Sequence, residues 1–361
     1  MNNNNFSYAD IVKGLNKPIE QRQEINEIQP QLSNQNAVKQ DKLNRISVNI
    51  NGSFSNRINI LLNKILKSEK NNKNYIKVID ILKDIIIKCS NSFDSIINAM
   101  IQINNILNKY SFRKLIDINK SNPNHEYVAL NISNVIKEFY GDKYNYSDML
   151  IGDIGGGEGD VIKYIGKTLN IPSTNLYCIE QEIWSEKYNF ANNINYIFWD
   201  NIDINLQNEK IDLFLLMVSM HHMPDSVINN ALANISKQLK KDGLVIIKEH
   251  DNIDNDVLKT INWEHHLYHI VTMSNEELTI KHLEEYIITY ISNFKSKKSF
   301  DELFESYGLT PIIELNRQFK PLIRNDDLNS TNLYWKVYKK LDNELLNESS
   351  NESLSINESL N

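Results

Sequence analysis

The pattern of apolar positions divides the chain into a helical part and a later part in which strands and helices alternate. Within residues 41–120, apolar side chains recur at spacings of three and four, which places them on one face of a helix. Three such stripes occur, at Ile58–Leu66, Val78–Ile86 and Ile96–Leu107. Because each stripe needs a partner to cover it, we expect a small bundle of helices there.

The rhythm changes after residue 121, where short apolar runs of strand length begin. They lie at 149–154, 176–180, 194–199, 211–219 and 243–248. Helical patterns such as Val161–Leu169 and Val227–Leu239 separate them. Strands that alternate with helices are typical of a parallel sheet with helices on both faces.

Two further apolar runs, Pro311–Leu315 and Leu333–Tyr338, follow without a long helix between them. A parallel connection needs a long crossover, so this pair is expected to be antiparallel. The sequence therefore predicts an α/β domain over residues 121–341, with a doubly wound, mostly parallel sheet whose last strand is antiparallel.

Both ends of the chain have a low-complexity composition. Residues 1–40 are rich in Asn, Gln and Glu and show no sustained period, so we expect a disordered arm. Residues 342–361 repeat Asn-Glu-Ser and predict a disordered, solvated tail. The segment 6–13 is more apolar; it is either a docking peptide for a protein partner or a loose helical turn.

Charge and cysteine content narrow the class of protein. The 361 residues carry a formal charge of −7 with a pI near 5.7, so the chain as a whole has no general attraction to nucleic acid. Two cysteines are too few for a disulfide framework, and no apolar run is long enough to span a membrane. We expect an intracellular, cytoplasmic protein with no membrane partner.

A glycine-rich segment follows the first predicted strand. That strand ends at Asp153, and the sequence continues Ile-Gly-Gly-Gly-Glu-Gly to Gly159. Glycines let the chain turn sharply into a helix and let a ligand approach the backbone. Dinucleotide loops instead have the spacing G-x-G-x-x-G. Because the carboxylate of Glu158 repels a pyrophosphate but tolerates a sulfonium or an ammonium, the loop favours a cationic ligand.

Residues 149–249 resemble the class I S-adenosylmethionine-dependent methyltransferases, whose fold is Rossmann-like. Five motifs in family order carry the resemblance: Asp153–Gly159, Tyr177–Glu180, Phe198–Asp200, Ile211–His222 and Lys241–Ile247. The run Glu249-His250-Asp251, followed by a His-Leu-Tyr segment, is similar to methyltransferases of large DNA viruses.

This resemblance implies S-adenosyl-L-methionine as the cofactor. The residues implied to bind it are Asp153, Gly155, Gly157, Gly159, Glu180, Asp200 and Met217. The resemblance implies that Glu180 binds the ribose hydroxyls of the cofactor and that Asp200 contacts its adenine amine. Each acid also has an ordinary interpretation as a capping or solvated side chain, and Asn201 or Asp203 is an alternative to Asp200.

Candidate catalytic residues follow the fourth and fifth strands. His221 and His222 follow the fourth, and Glu249, His250 and Asp251 follow the fifth. We take His221, Glu249 and His250 as candidates for acid–base work. A shaping role for the histidine pair and a helix-capping role for Asp251 remain open.

A helix is also expected at Trp263–His269, with His265 and His269 at the i, i+4 spacing that zinc sites use. Because the sequence pattern around this pair offers no third metal ligand, we expect no metal.

Methyl transfer is thus the predicted activity, and the acceptor is either a small molecule or RNA. The acidic pI and the His221-His222 motif favour a small molecule, whereas the basic segment 295–298 and the helical region support RNA. The alternative is a catalytically inactive, cofactor-binding scaffold, or a partner subunit of an RNA-modifying complex. Such a subunit would bind its partner through residues 6–13 or the helical region.

Overall fold

The computed structural model describes residues 54–112, 123–181, 194–204, 206, 210–273, 278–290, 292–316 and 333–340. The predicted arm 1–40 with its docking segment 6–13, and the predicted tail 342–361, lie outside these residues. The chain forms two compact units. The first contains the described residues up to 112 together with 265–290, and the second contains the remaining described residues.

The described helices are, in chain order, α1 (Phe54–Ile65), α2 (Tyr75–Lys88), α3 (Phe93–Lys109), α4 (Pro123–Tyr140), α5 (Asp160–Leu169), α6 (Asp225–Gln238), α7 (Asn255–Thr272), α8 (Ile280–Thr289), α9 (Lys297–Ser306) and α10 (Ile313–Asn316). The strands are β1 (Ile151–Ile154), β2 (Leu176–Glu180), β3 (Asn195–Phe198), β4 (Ile211–Met217), β5 (Leu239–His250), β6 (Leu309–Pro311) and β7 (Leu333–Lys340). None of the helices in the described part of the chain has the length and apolar character that crossing a membrane requires.

The first unit is helical, as the stripes of apolar residues predict. It consists of α1, α2, α3, the end of α7 from His265 onward, and α8. Most of the predicted stripe positions are buried: Ile58, Leu61, Leu62, Leu66, Val78, Ile79, Leu82, Ile86, Ile97, Met100, Ile103 and Leu107. Ile65, Ile85 and Ile96 are half-buried. Ser92 begins α3 as an N-cap, its hydroxyl accepting a hydrogen bond from the amide of Ser95. α3 packs against both α2 and α8.

The second unit contains a seven-stranded sheet in the order β3-β2-β1-β4-β5-β7-β6. The neighbours among β1 to β5 are parallel. β7 runs antiparallel to both β5 and β6. The predicted fold class is therefore confirmed, including the antiparallel last strand.

Helices cover both faces of the sheet because its central strands are apolar on both sides. In β4, Leu213 and Leu215 face one layer, whereas Phe214 and Leu216 face the other. The first layer contains α4 and α5, and the second contains α6 and α9. This arrangement leaves the ends of the strands as the place where polar side chains gather.

One strand differs from its predicted position. The pattern at Pro311–Leu315 predicts an extended run, but β6 ends at Pro311 and α10 begins at Ile313. Ile312 and Leu315 pack into the same core cluster, and their separation of three residues is a helical spacing. The basic segment at 295–298 is in part helical, since α9 begins at Lys297.

Candidate functional site

The glycine-rich loop between β1 and α5 has a backbone that requires glycine. Gly155, Gly157 and Gly159 have φ angles of 72°, 57° and 72°, in the left-handed region that other residues rarely occupy. At Gly155 space is also short, because an added Cβ would lie 2.6 Å from the Cβ of Ser219. At Gly157, by contrast, an added Cβ would meet nothing within 4 Å, so this side of the loop is open.

Hydrogen bonds fix the loop to the ends of two neighbouring strands. The amide of Gly155 donates to the carbonyl of Ile179 at 2.9 Å. The hydroxyl of Ser219 donates to the carbonyl of Ile154 at 3.1 Å. Sequence reasoning missed Ser219, which follows β4, because nothing in its local pattern indicates that it meets β1. The loop is therefore held in place from both sides of β1.

Asp153 is buried directly beneath this loop, with an exposed fraction of 1%. Its Oδ1 atom has no hydrogen-bond partner among the residues that the structure describes. Burial, and secondarily the nearby charge of Glu180, raises the pKa of Asp153 from 3.8 to about 7. An unsatisfied carboxylate in such a place is costly unless a donor or a positive charge reaches it.

Glu180 ends β2 and faces the same loop. Its carboxylate accepts a hydrogen bond from the amide of Gly157. Burial raises the pKa of Glu180, while the backbone amides of Gly157 and Gln181 act in the opposite direction. Asp153 and Glu180 thus bring two carboxyl groups to one place, and the local field there favours a cation.

The ends of β3 and β4 hold the remaining predicted cofactor residues. Asp200 is exposed, and its Oδ1 accepts hydrogen bonds from the amides of Ile202 and Asp203 at 2.9 and 3.2 Å. The amide of Trp199 donates to the carbonyl of Glu180 at 2.8 Å, which joins this turn to the end of β2. Met217 is half-buried as the last residue of β4.

The residue after β4 has a strained backbone. Val218 has a φ angle of 59°, which is unfavourable for a β-branched side chain. Its amide donates to the carbonyl of Lys248 at 2.7 Å, so β5 holds the turn in place. Such strain is concentrated at functional sites, where surrounding contacts compensate for it.

Beyond this turn, His221 and Glu249 form a buried pair. The Nδ1 atom of His221 lies 2.7 Å from Oε2 of Glu249, and both side chains are at most 1% exposed. The other oxygen, Oε1, accepts a hydrogen bond from the amide of Met220 at 2.8 Å. The sequence places Glu249 beside His250, but the imidazole that pairs with Glu249 is that of His221, 28 residues away.

Burial raises the pKa of Glu249 from 4.5 to about 7, although the charges of His250 and His222 and the amide of Met220 oppose the shift. The ring of His250 lies 5.3 Å from that of His221, and its amide donates to Oε2 of Glu249 at 3.3 Å. The structure therefore brings the three predicted catalytic residues together. A carboxyl group of this pKa next to an imidazole is suited to moving a proton near neutral pH.

Tyr334 is a further side chain of this cluster. It is opposite Glu249 in the β5–β7 register. Its hydroxyl is buried without a hydrogen-bond partner among the described residues. Burial, followed by the charges of Glu249 and Asp251, raises the pKa of Tyr334. No local signal in the sequence marks this residue, because only the antiparallel direction of β7 brings its start to this edge of the sheet.

Asp251 has a different role from the predicted cap of the next helix. Asp254 caps α7, with Oδ1 accepting the amide of Val257 at 2.8 Å. Asp251 instead accepts a hydrogen bond from the amide of Lys297, the first residue of α9, at 2.8 Å. The loop after β5 is thereby fastened to the start of α9.

In the helical unit, His269 of α7 contacts rings of α8, whereas the ring of His265 lies near that of Tyr290, the residue just after α8. The Nε2 atoms of His269 and His282 are 3.1 Å apart, and the ring of Tyr286 stacks on His269 at 3.7 Å. Burial and the neighbouring His282 lower the pKa of His269 to about 4. The polar partner of His269 therefore lies on α8.

Comparisons with known proteins give structural likenesses only. No family model and no curated protein matches the sequence. The plantazolicin methyltransferase BpumL in complex with SAH is 16% identical, with a TM-score of 0.41; the match covers 73% of this chain and all of that one.

Two further structures are similar. A putative methyltransferase complexed with the Haloferax volcanii Trm112 activator is 12% identical, with a TM-score of 0.38, over 60% of this chain and 98% of that one. A putative sarcosine dimethylglycine methyltransferase from Galdieria sulphuraria is 12% identical, with a TM-score of 0.38; the match covers 61% of this chain and 85% of that one. These values are too low to transfer an activity.

The strand order, the antiparallel β7 and the helices on both faces together form a Rossmann-like α/β fold, with a helical region before it in the chain.

Proposed function

We propose that this protein is an S-adenosylmethionine-dependent methyltransferase whose acceptor is a small molecule. The observation that carries the proposal is Asp153, whose buried carboxylate oxygen has no partner among the described residues and lies beneath an open glycine loop. A cationic amino acid group fits this place, because it would neutralise a carboxyl group whose pKa burial raises to about 7.

The residues present fit the cofactor in other respects. Gly155 and Gly157 leave backbone without side chains beside the carboxylate, and Glu180 stands at the end of β2 as an acceptor for hydroxyl groups. Asp200, two residues after β3, and Met217, the last residue of β4, lie at the same edge of the sheet. A pyrophosphate fits less well, since two carboxyl groups already occupy this place.

When bound, S-adenosylmethionine supplies a methyl group that its sulfonium already activates. The contribution expected of the chain is alignment and, for an acceptor with a dissociable proton, a base. We assign that base to His221, with Glu249 holding its Nδ1 and thereby orienting the ring. A base that is fully buried favours a small acceptor that the site can enclose, and this supports a small molecule over RNA.

Isothermal titration calorimetry with S-adenosylmethionine tests the cofactor assignment. We expect the wild type to bind it and Asp153→Asn to bind at least about tenfold more weakly, because the variant loses the charge at the buried site. Asp84→Asn, at an exposed ion pair in the helical unit, should bind as the wild type does. A folded wild type without binding, or undiminished binding by Asp153→Asn, would refute the assignment.

Incubation with methyl-labelled cofactor then tests the activity. Metabolite, RNA and protein fractions are offered separately, and we expect label in the metabolite fraction. Label in RNA would overturn the acceptor class. Cofactor binding without transfer to any fraction would support the alternative of an inactive, cofactor-binding scaffold.

A further inference from the structure

Residues 292–296, which we call the strap, cross the ends of β4 and β5 without regular structure. The amide of Asn293 donates to the carbonyl of His221 at 2.9 Å. The side-chain nitrogen of Asn293 donates to the carbonyl of Met223 at 2.9 Å and to Asp225 at 2.7 Å. The strap is thus bound to the turn that carries the proposed base.

The strap is also bound to the loop after β5. The amide of Asn252 donates to the carbonyl of Lys295 at 3.2 Å, and its side chain donates to the carbonyl of Phe294 at 3.1 Å. Just beyond the strap, the amide of Lys297 donates to Asp251 at 2.8 Å. These bonds fix the backbone on both sides of Phe294, so the direction of its side chain is determined.

That side chain points inward. Phe294 is 8% exposed and packs with Val257 and Ile261. Its ring stacks on His221 at 4.7 Å with an interplanar angle of 20°, and it meets the ring of His250 edge-on at 5.7 Å. Phe294 therefore covers one face of the imidazole that forms the buried pair with Glu249.

We propose that Phe294 is a specificity-determining residue of the acceptor site. This inference rests on the proposed function. Because the strap holds a phenyl ring against His221, an acceptor reaches that imidazole only if it fits beside the ring or displaces it. Small acceptors are admitted and bulky ones are excluded, and a smaller side chain at 294 widens the range.

The first test measures access to His221 and does not depend on the cofactor. The full-length wild type and Phe294→Ala are treated with diethyl pyrocarbonate, and the modified histidines are located by peptide mass spectrometry. We expect His221 to react at least about tenfold faster in Phe294→Ala, with His125 as the internal reference. Phe300→Leu, a change in a different core cluster, is the control for general loosening and should leave the ratio unchanged.

The second test measures specificity with the acceptors that the labelling experiment yields. Across a series of increasing size, we expect Phe294→Ala to lower KM for the larger members relative to KM for the smallest member. Phe294→Leu should give an intermediate profile.

Equal reactivity of His221 in Phe294→Ala and wild type, or an unchanged acceptor range, overturns the role of Phe294. Absence of cofactor binding by the wild type would instead overturn the proposed function, and the modification experiment distinguishes the two failures.

Discussion

Replacing Glu249 with glutamine should change how the stability of the protein depends on pH. In the folded chain, burial raises the pKa of Glu249 to about 7, whereas an unfolded chain has the ordinary value of 4.5. Between these two values the folded state holds a proton that the unfolded state has released. The free energy of unfolding attributable to Glu249 therefore falls as pH rises through this window.

The magnitude follows from the size of the shift. A shift from 4.5 to about 7, at about 1.4 kcal/mol per unit, corresponds to about 3 kcal/mol of stability lost between pH 4.5 and pH 8. The amide side chain in Glu249→Gln would retain an acceptor for the amide of Met220 but would not titrate. The difference in unfolding free energy, variant minus wild type, should therefore increase by about 3 kcal/mol over this range.

Urea denaturation followed by tryptophan fluorescence at pH 4.5, 6, 7 and 8 measures this difference. Other groups that titrate in the same range, such as Asp153, are present in both proteins and cancel in the comparison. Glu285→Gln, at an exposed carboxylate paired with Lys281, is the control and should show no trend with pH. A constant difference between Glu249→Gln and wild type would refute the reasoning.

Two further outcomes are expected. Gly155→Ala should destabilise the protein by about 1–3 kcal/mol more than Gly308→Ala. Both glycines have a positive φ, but only at Gly155 would an added Cβ meet Ser219. Equal losses of unfolding free energy in urea would contradict this close approach. Burial, followed by the two neighbouring imidazoles, lowers the pKa of His266 from 6.5 to about 3, so the unfolded chain takes up a proton first as pH falls below 6.5. His266→Phe should therefore gain up to about 3 kcal/mol relative to wild type between pH 6.5 and 4.5, and parallel stability curves in urea would speak against this.

The sheet was largely predictable because its signals are local. Apolar runs of strand length, the glycines at 155, 157 and 159, and the acid at the end of β2 are all visible within short windows of sequence. The error at β6 has the same origin, because a run that contains Ile312 and Leu315 fits a strand and a helical turn equally well over so few residues.

The chemistry of the acceptor side was less predictable because it depends on contacts between distant segments. Glu249 and His250 are adjacent in sequence, yet the hydrogen-bonded partner of Glu249 is His221, at the end of the neighbouring strand. Phe294 and Tyr334 reach the same cluster from segments without a motif. Sequence indicates which strand ends carry polar residues, but only the strand order determines which of them meet.

The position of β7 between β5 and β6 has a consequence for the nascent chain. On the ribosome β6 is made before β7, yet in the described sheet its hydrogen-bonded neighbour is β7. One edge of β5 is likewise unpaired until β7 has been made, because seven of its residues, from Leu244 to His250, pair with β7. Until residues 333–340 have emerged, that apolar edge is open to pairing with other chains. Translation that stops before Leu333 should therefore yield a product that aggregates and depends on chaperones.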